Sequence, residues 1–470
     1  MSWHRQPPVA TPAGLELRTL LQLVDHFNCV TAGNETFMQR YLLNDAGWSP
    51  GGPIFVFTGA EGGDVTGVIG DYGGVLTQAA QLGGMVVAVE GRFFGRSQPA
   101  IAVEQMIKDN AALIEWIRAD RGAWSSPVVA FGGSLAGTLG ALLRLSRPWL
   151  VDAAWASSSP LLGWEAQADP FAWRARVTAT WEEARPGCAA VVRRGFGGLS
   201  RLDPVEVAIT YKTCNTAFWG NGAAFRDIVW SKLETHAEFV YEVGLPRLAA
   251  DCERMEGAVE DSGAIFARFL DTGAGGAGAK CLNLTQPRAS EEGEEGAGVP
   301  ESERGIRQPP GVPPGGEAIN GWSYMACTQV IHPIGSNNKT DFFPPYNWSV
   351  RGLEPGCRKA WGTEPRPRDL PRRYGLDARS LARSASRILF SYGTKDPWAT
   401  MGVGFHDLSE RLPVVAIDGG SHCADMAYGR PGDSKPMLRA RGQQGTILRR
   451  WLAEIAQERK QATVPQNALA

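Results

Sequence analysis

Three side chains of this sequence have the types and order needed for a nucleophilic step. Ser134 ends the run Val128-Val129-Ala130-Phe131-Gly132-Gly133 and is followed by Leu135-Ala136-Gly137. Asp396 follows Ile388-Leu389-Phe390-Ser391-Tyr392 through Gly393-Thr394-Lys395. His422 follows Val414-Val415-Ala416-Ile417 through Asp418-Gly419-Gly420-Ser421. A serine hydroxyl is a weak nucleophile until a base takes its proton. Histidine is the side chain whose ordinary pKa suits that task near neutrality. A carboxylate at the other ring nitrogen fixes the tautomer and stabilises the imidazolium. Backbone N–H groups must then receive the negative oxygen of the tetrahedral state. The natural donors are Leu135, just after the serine, and Gly59 or Ala60, in the small-residue loop Gly59-Ala60-Glu61-Gly62-Gly63-Asp64.

These residues need a scaffold that brings distant loops to one edge. The segment Pro127 to Gly140 reads as a buried strand, a sharp turn through two glycines onto the serine, and a helix rich in small residues and leucine. That is a nucleophile elbow, with Ala136 where a glycine is usual. Further strands are expected at Phe37–Leu43, Ile54–Thr58, Gly84–Glu90, Leu150–Ser158, Arg387–Tyr392 and Pro413–Ile417. Helices are expected at Gly73–Leu82, Val103–Ala119 and Leu438–Gln457. Leu15 to Leu23 is only mildly apolar. Strands alternating with helices predict an α/β fold built on a mostly parallel sheet, whose loops meet at the C-terminal strand ends. The order Ser, Asp, His along the chain is that of α/β-hydrolases. The long interval between Ser134 and Asp396 leaves room for an inserted helical cap. The expected organisation is a core over 15–163, a cap over 164–382 and a second part of the core over 383–457.

The cap segment is rich in Trp, Arg and Ala and carries most of the cysteines. Within it, 286–316 is low in complexity, with Ser290-Glu291-Glu292-Gly293-Glu294-Glu295 followed by Gln308-Pro309-Pro310-Gly311. Such a stretch has too little apolar area to order itself and is expected to be a surface loop. The net charge of −2 argues against a dedicated nucleic-acid binder. No apolar run approaches the ~20 residues that span a bilayer. Of the histidines, only His422 follows a strand through glycines. Asp418 and Asp425 are rivals to Asp396 without strand ends of their own, and Asp425 is also a candidate orienting group.

The 8 cysteines, Cys29, Cys188, Cys214, Cys252, Cys281, Cys327, Cys357 and Cys423, form no C-x-x-C pair, which argues against a zinc site. An even, dispersed set suits disulfides in an oxidising compartment. The sequons at Asn34, Asn283, Asn338 and Asn347 agree with that. Met1 to Leu20 contains no apolar core of a secretion signal. Cysteines and sequons together still favour a secreted or lysosomal/vacuolar protein whose true start lies upstream. No metal or organic cofactor is implied, and a homodimer is left open.

With these residues assembled, the chain resembles the family of lysosomal Pro-X carboxypeptidase and dipeptidyl peptidase II. The resemblance runs through Asp25-His26-Phe27, Arg40-Tyr41, Phe57-Thr58-Gly59, Gly132-Gly133-Ser134, and Trp322-Ser323-Tyr324 with Ala326-Cys327-Thr328. It continues through Trp361-Gly362 with Pro365-Arg366-Pro367, Asp396-Pro397-Trp398 and Gly420-Ser421-His422. The resemblance implies an α/β-hydrolase core with a helical cap and a serine peptidase that cleaves after proline near a chain end. It places nucleophile, acid and base on Ser134, Asp396 and His422, and implies the pairs Cys188–Cys252, Cys214–Cys281 and Cys327–Cys357. Departures from the family pattern are Leu135 and Ala136 after the serine, Gly91-Arg92-Phe93-Phe94 where His-Arg-Tyr-Tyr is usual, and Cys423 in place of a second histidine. A proline ring needs a tight apolar box. Trp322, Tyr324, Met325 and Trp398 are its candidates, with core packing as the alternative for each. The substrate is thus expected to be a peptide, handled in dipeptidyl peptidase or carboxypeptidase mode. Ser336-Asn337-Asn338-Lys339-Thr340-Asp341 resembles the dipeptidyl branch. An esterase or lipase, and an inactive binding protein on the same fold, are the rival readings.

Overall fold

A computed structural model describes residues 14–27, 35–59, 61, 64–95, 97, 102–164, 167–212, 222–257, 262–270 and 321–463. Ala60, the 286–316 stretch, Cys29, Cys214 and Cys281 lie outside the described residues, and so does the expected Cys214–Cys281 pair.

The strands are β1 (Glu16–Leu23), β2 (Thr36–Asn44), β3 (Ile54–Phe57), β4 (Met85–Val89), β5 (Val128–Gly133), β6 (Ala153–Ser157), β7 (Ile388–Gly393) and β8 (Val414–Ile417). They form one 8-stranded sheet in the order β1-β2-β4-β3-β5-β6-β7-β8. β1 and β2 form an antiparallel pair, and β2 also runs antiparallel to β4. All the other neighbours are parallel. The fold is therefore the expected α/β-hydrolase sheet.

The central strands are apolar on both faces because helices cover both. Successive residues point to opposite sides of a strand. Ile54, Val56, Val128 and Ala130 pack into one core layer with helices Val103–Asp120 and Ser134–Ser146. Phe55, Phe57, Val129 and Phe131 pack into the other, with helices Gly73–Gln81 and Lys435–Thr463. β1 is the element the sequence hides. It sits at the sheet edge with Leu17 50% and Leu21 60% exposed, so no alternation of buried and polar positions marks it.

The segment between β6 and β7 is mainly helical, from Ala172–Ala184 to Ala378–Ser384. Packing divides it. Trp173, Trp181, Phe225, Phe266, Phe269, Phe342 and Phe343 build a second hydrophobic cluster, into which Trp398 and Met401 intrude from the loop after β7. Met325, Val330, Leu370, Leu376 and Leu381 pack instead into the first core layer. Disulfides Cys188–Cys252 and Cys327–Cys357 are formed, as the resemblance implied.

Candidate active site

The elbow is built from small residues because nothing larger fits. Ser134 opens its helix with φ of 55°, a left-handed conformation that is strained for a residue with a side chain. A Cβ on Gly132 would overlap that of Ala136, and a Cβ on Gly137 would stand 2.9 Å from the Gly132 carbonyl. The loop after β3 is tied to the same helix, where Thr58 Oγ1 donates to the Ala136 carbonyl at 2.6 Å. Gly59, with φ of 86°, lies against Gly91, where a Cβ would be 3.1 Å from the Gly91 backbone. Further along, Arg40 pairs with Asp64 at 2.7 Å and with Glu90 at 3.1 Å, anchoring the loop's far end. Leu135, the other expected oxyanion donor, is buried in the first turn of the elbow helix.

The Asp and His loops meet through glycine. A Cβ on Gly393 would overlap the Gly420 carbonyl, and that carbonyl accepts the Lys395 N–H at 2.9 Å. This contact brings Asp396 and His422 together. His422 Nδ1 lies 3.0 Å from Asp396 Oδ1, and the same oxygen accepts the Trp398 backbone N–H at 2.9 Å. Asp396 is wholly buried and His422 is 6% exposed. The elbow abuts this pair, since a Cβ on Gly133 would stand 2.5 Å from Cys423 Sγ. The Cys423 N–H donates to Ser158 Oγ at 2.8 Å. Ser134 is thus flanked by a residue in contact with the neighbour of His422.

Burial works against a charged His422, but Cys423 and the Asp396 carboxylate outweigh it and hold the imidazole well above its ordinary value. Burial also pushes the Cys423 thiol up, and His422 pulls it the other way. Cys423 carries a free thiol. Asp425 is no rival acid. Its carboxylate accepts from Ser157 Oγ, Ser391 Oγ and Gln444 Nε2, each at 2.6 Å, bracing the sheet ends beneath the His loop. Asp418 lies 3.5 Å from Thr394 Oγ1 at the surface.

Trp398 is the pocket candidate seen at the site, its ring 6.0 Å from that of His422. Trp173 and His332 pack edge-on to it at 5.7 and 5.6 Å. Met325 is wholly buried in the core, Tyr324 packs edge-on to Trp361 at 5.5 Å, and Trp322 is partly buried against the same core. Asp341 spends its carboxylate on its own loop, accepting the N–H of Asn337 at 2.9 Å and of Phe343 at 3.0 Å. His26 and Arg92 also serve the scaffold. Both reach Asp109, at 2.7 and 2.6 Å, fastening the β1–β2 hairpin region to helix Val103–Asp120.

Two carboxyls at the site carried no signal in the sequence. Burial raises Glu61 above its ordinary value, while its own backbone N–H, His422 and Ser134 work the other way. Its Oε2 is buried without a partner. Glu238, at the end of cap helix Gly222–Glu238, accepts the Trp398 indole N–H at 2.7 Å, and its backbone carbonyl accepts the His422 N–H at 2.9 Å. Glu61 follows a glycine turn and Glu238 is a lone acid on a helix. Neither pattern marks a site by itself.

The sequence profile of the family Serine carboxypeptidase S28 matches residues 22–210 and 313–443. The lysosomal Pro-X carboxypeptidase of Homo sapiens is 28% identical over 483 residues, covering 95% of this chain and 91% of the relative. That of Pongo abelii gives the same 28%, 95% and 91%. The thymus-specific serine protease of Homo sapiens is 26% identical over 484 residues, covering 93% of this chain and 87% of the relative.

Proposed function

This chain belongs to the serine carboxypeptidase S28 family, and from that membership we propose that it is an exopeptidase cleaving peptide bonds after proline. A serine-type peptidase activity comes with the family. The finer reading assigns Ser134 as nucleophile, His422 as base and Asp396 as the acid that orients it. The observation that carries this reading is the buried His422–Asp396 contact of 3.0 Å, with the elbow packed against the next residue of the His loop.

Ser134 Oγ attacks the carbonyl carbon of the scissile bond while His422 Nε2 takes its proton. The leaving amine collects that proton as the tetrahedral state collapses to an acyl-enzyme. Water, deprotonated by the same nitrogen, then releases the acid. Leu135 N–H and the amide of Gly59 or Ala60 receive the oxyanion. Trp398 supplies a flat apolar wall for the proline ring next to the base.

Glu61, Glu238 and Glu242 all act electrostatically on or with His422. Carboxyl groups near the base give a substrate ammonium more partners than a substrate carboxylate, so release of N-terminal dipeptides is the mode this reading predicts. The lysosomal relatives and the described disulfides support a lysosomal or secreted setting. No helix among the described residues is long and apolar enough to cross a membrane.

The test is cleavage of X-Pro peptides blocked at either end, with Ser134→Ala as control. Loss of cleavage on blocking the amino end, and complete loss in the variant, are the expected results. Cleavage only of amino-blocked peptides moves the assignment to carboxypeptidase mode. Hydrolysis of simple esters alone, or activity surviving Ser134→Ala, overturns the reading.

A further inference from the structure

The last turn of cap helix Gly222–Glu238 touches the proposed base directly. Glu238 binds the His422 backbone N–H through its carbonyl, at 2.9 Å, and the Trp398 indole through Oε1, at 2.7 Å. That same Oε1 stands 3.9 Å from His422 Nε2. Asp396 faces the opposite nitrogen, Nδ1, at 3.0 Å. The imidazole therefore has a carboxyl at each end. Phe239, the next residue, packs edge-on to the ring at 5.9 Å and closes one side.

Nε2 is the nitrogen that must be free of its proton to accept one from Ser134. We infer that Glu238 is a positioning residue for His422, whose carboxylate holds a proton on Nε2 and so competes with Ser134 for the base. The inference rests on the triad reading given above and adds a fourth, cap-borne group to it.

The groups around the pair set the direction. His422 is faced by Asp396 from the loop after β7 and by Glu61 from the loop after β3. It is also faced by Glu238 and Glu242 from the cap, and by Cys423 from its own loop. Glu242 is occupied in part by the Ser421 hydroxyl at 3.1 Å. Glu238 is faced by His422 and Trp398, which favour its charge, and by Asp396 and Glu234, which oppose it. Glu234 is itself held by Arg174 and the Trp230 indole, both at 2.8 Å. Burial, the largest influence, pushes Glu238 up to about 7. Near neutrality the pair can therefore exchange one proton. With the proton on Glu238, Nε2 keeps its lone pair; with Glu238 ionised, the imidazolium is held between two carboxylates. Removing the charge of Glu238 must lower the proton affinity of His422.

The experiment follows the rate of fluorophosphonate labelling against pH in the full chain, comparing wild type with Glu238→Gln. Labelling needs the nucleophile and its neutral base but no particular peptide. Glutamine keeps the shape and an acceptor for the Trp398 indole. The acid limb of the Glu238→Gln profile is expected about one pH unit below that of wild type, with labelling about five-fold faster one unit under the wild-type midpoint. Glu238→Ala should move the limb the same way even where it lowers stability. Coincident limbs would overturn the inference. So would an unmoved limb with a raised KM confined to peptides with a free amino end, which would make Glu238 an ammonium site. Absence of wild-type labelling at every pH overturns the triad reading itself, and this inference with it.

Discussion

At the scale of single residues, Asp396 and His332 give the sharpest expectations. Asp396 Oδ1 receives the His422 ring, so Asp396→Asn presents an amide where the tautomer needs a carboxylate. We expect kcat to fall by about 10⁴ with KM little changed, the size of effect such a swap has in a triad. A loss below about ten-fold would count against the assignment. His332 packs between Trp164 and Trp398, with Nδ1 2.6 Å from the Gly163 carbonyl, and burial pushes it down to about 4. Its unfolded value is 6.5. Below that pH the unfolded chain takes up a proton that the folded one refuses, so stability is full above 6.5 and is lost as pH falls towards 4. The loss amounts to at most about 3 kcal/mol. Urea midpoints measured between those pH values should fall more steeply for wild type than for His332→Leu, and parallel curves would contradict this. The residues proposed for the triad stood out in the sequence because a serine between tiny residues and a histidine behind paired glycines are rare patterns with a steric cause. Glu61 and Glu238 were not, because only the folded chain shows what a solitary carboxyl meets.

At the scale of elements, the site depends on close backbone approach. Gly132 and Gly393 lie in parallel strands β5 and β7, whose C-terminal ends carry the elbow and the Asp loop. A methyl group on either has nowhere to go, since Ala136 Cβ and the Gly420 carbonyl already fill the space. Backbone, unlike a flexible side chain, cannot turn aside. Gly393→Ala should therefore destabilise by about 1–3 kcal/mol and also part the Asp and His loops. A folded fraction, isolated by its near-UV dichroism, should still show reduced labelling. Full activity in that variant would show that the loops do not need this contact. The strands around the elbow were readable as short apolar runs because both faces are buried. β1 was not, because an edge strand with leucines facing solvent has no periodic signature. The helical segment was readable as an insertion, but not as two packing groups. That division depends on which apolar faces meet the cap cluster and which meet the core.

At the scale of the whole molecule, the cap and the core share the loop after β7. Trp398 and Met401 belong to the cap's hydrophobic cluster while Asp396, a few residues earlier, contacts the His422 ring. Stability of the cap should therefore be felt as activity. The Cys188–Cys252 bridge joins residues 64 apart, and removing such a constraint costs about 4 kcal/mol in the chain-entropy account. Cys188→Ser with Cys252→Ser should lower the thermal midpoint and reduce activity together, as the surface around Trp398 loosens. Activity lost well after the cap melts would separate the two. Whether three distant loops form one acyl-transfer site is decided by mapping a fluorophosphonate adduct by mass spectrometry. A single adduct is expected on the peptide containing Ser134, formed by wild type and slowed by at least about 10³ in His422→Ala. An adduct on any other serine, or undiminished labelling of the His422→Ala chain, would contradict it.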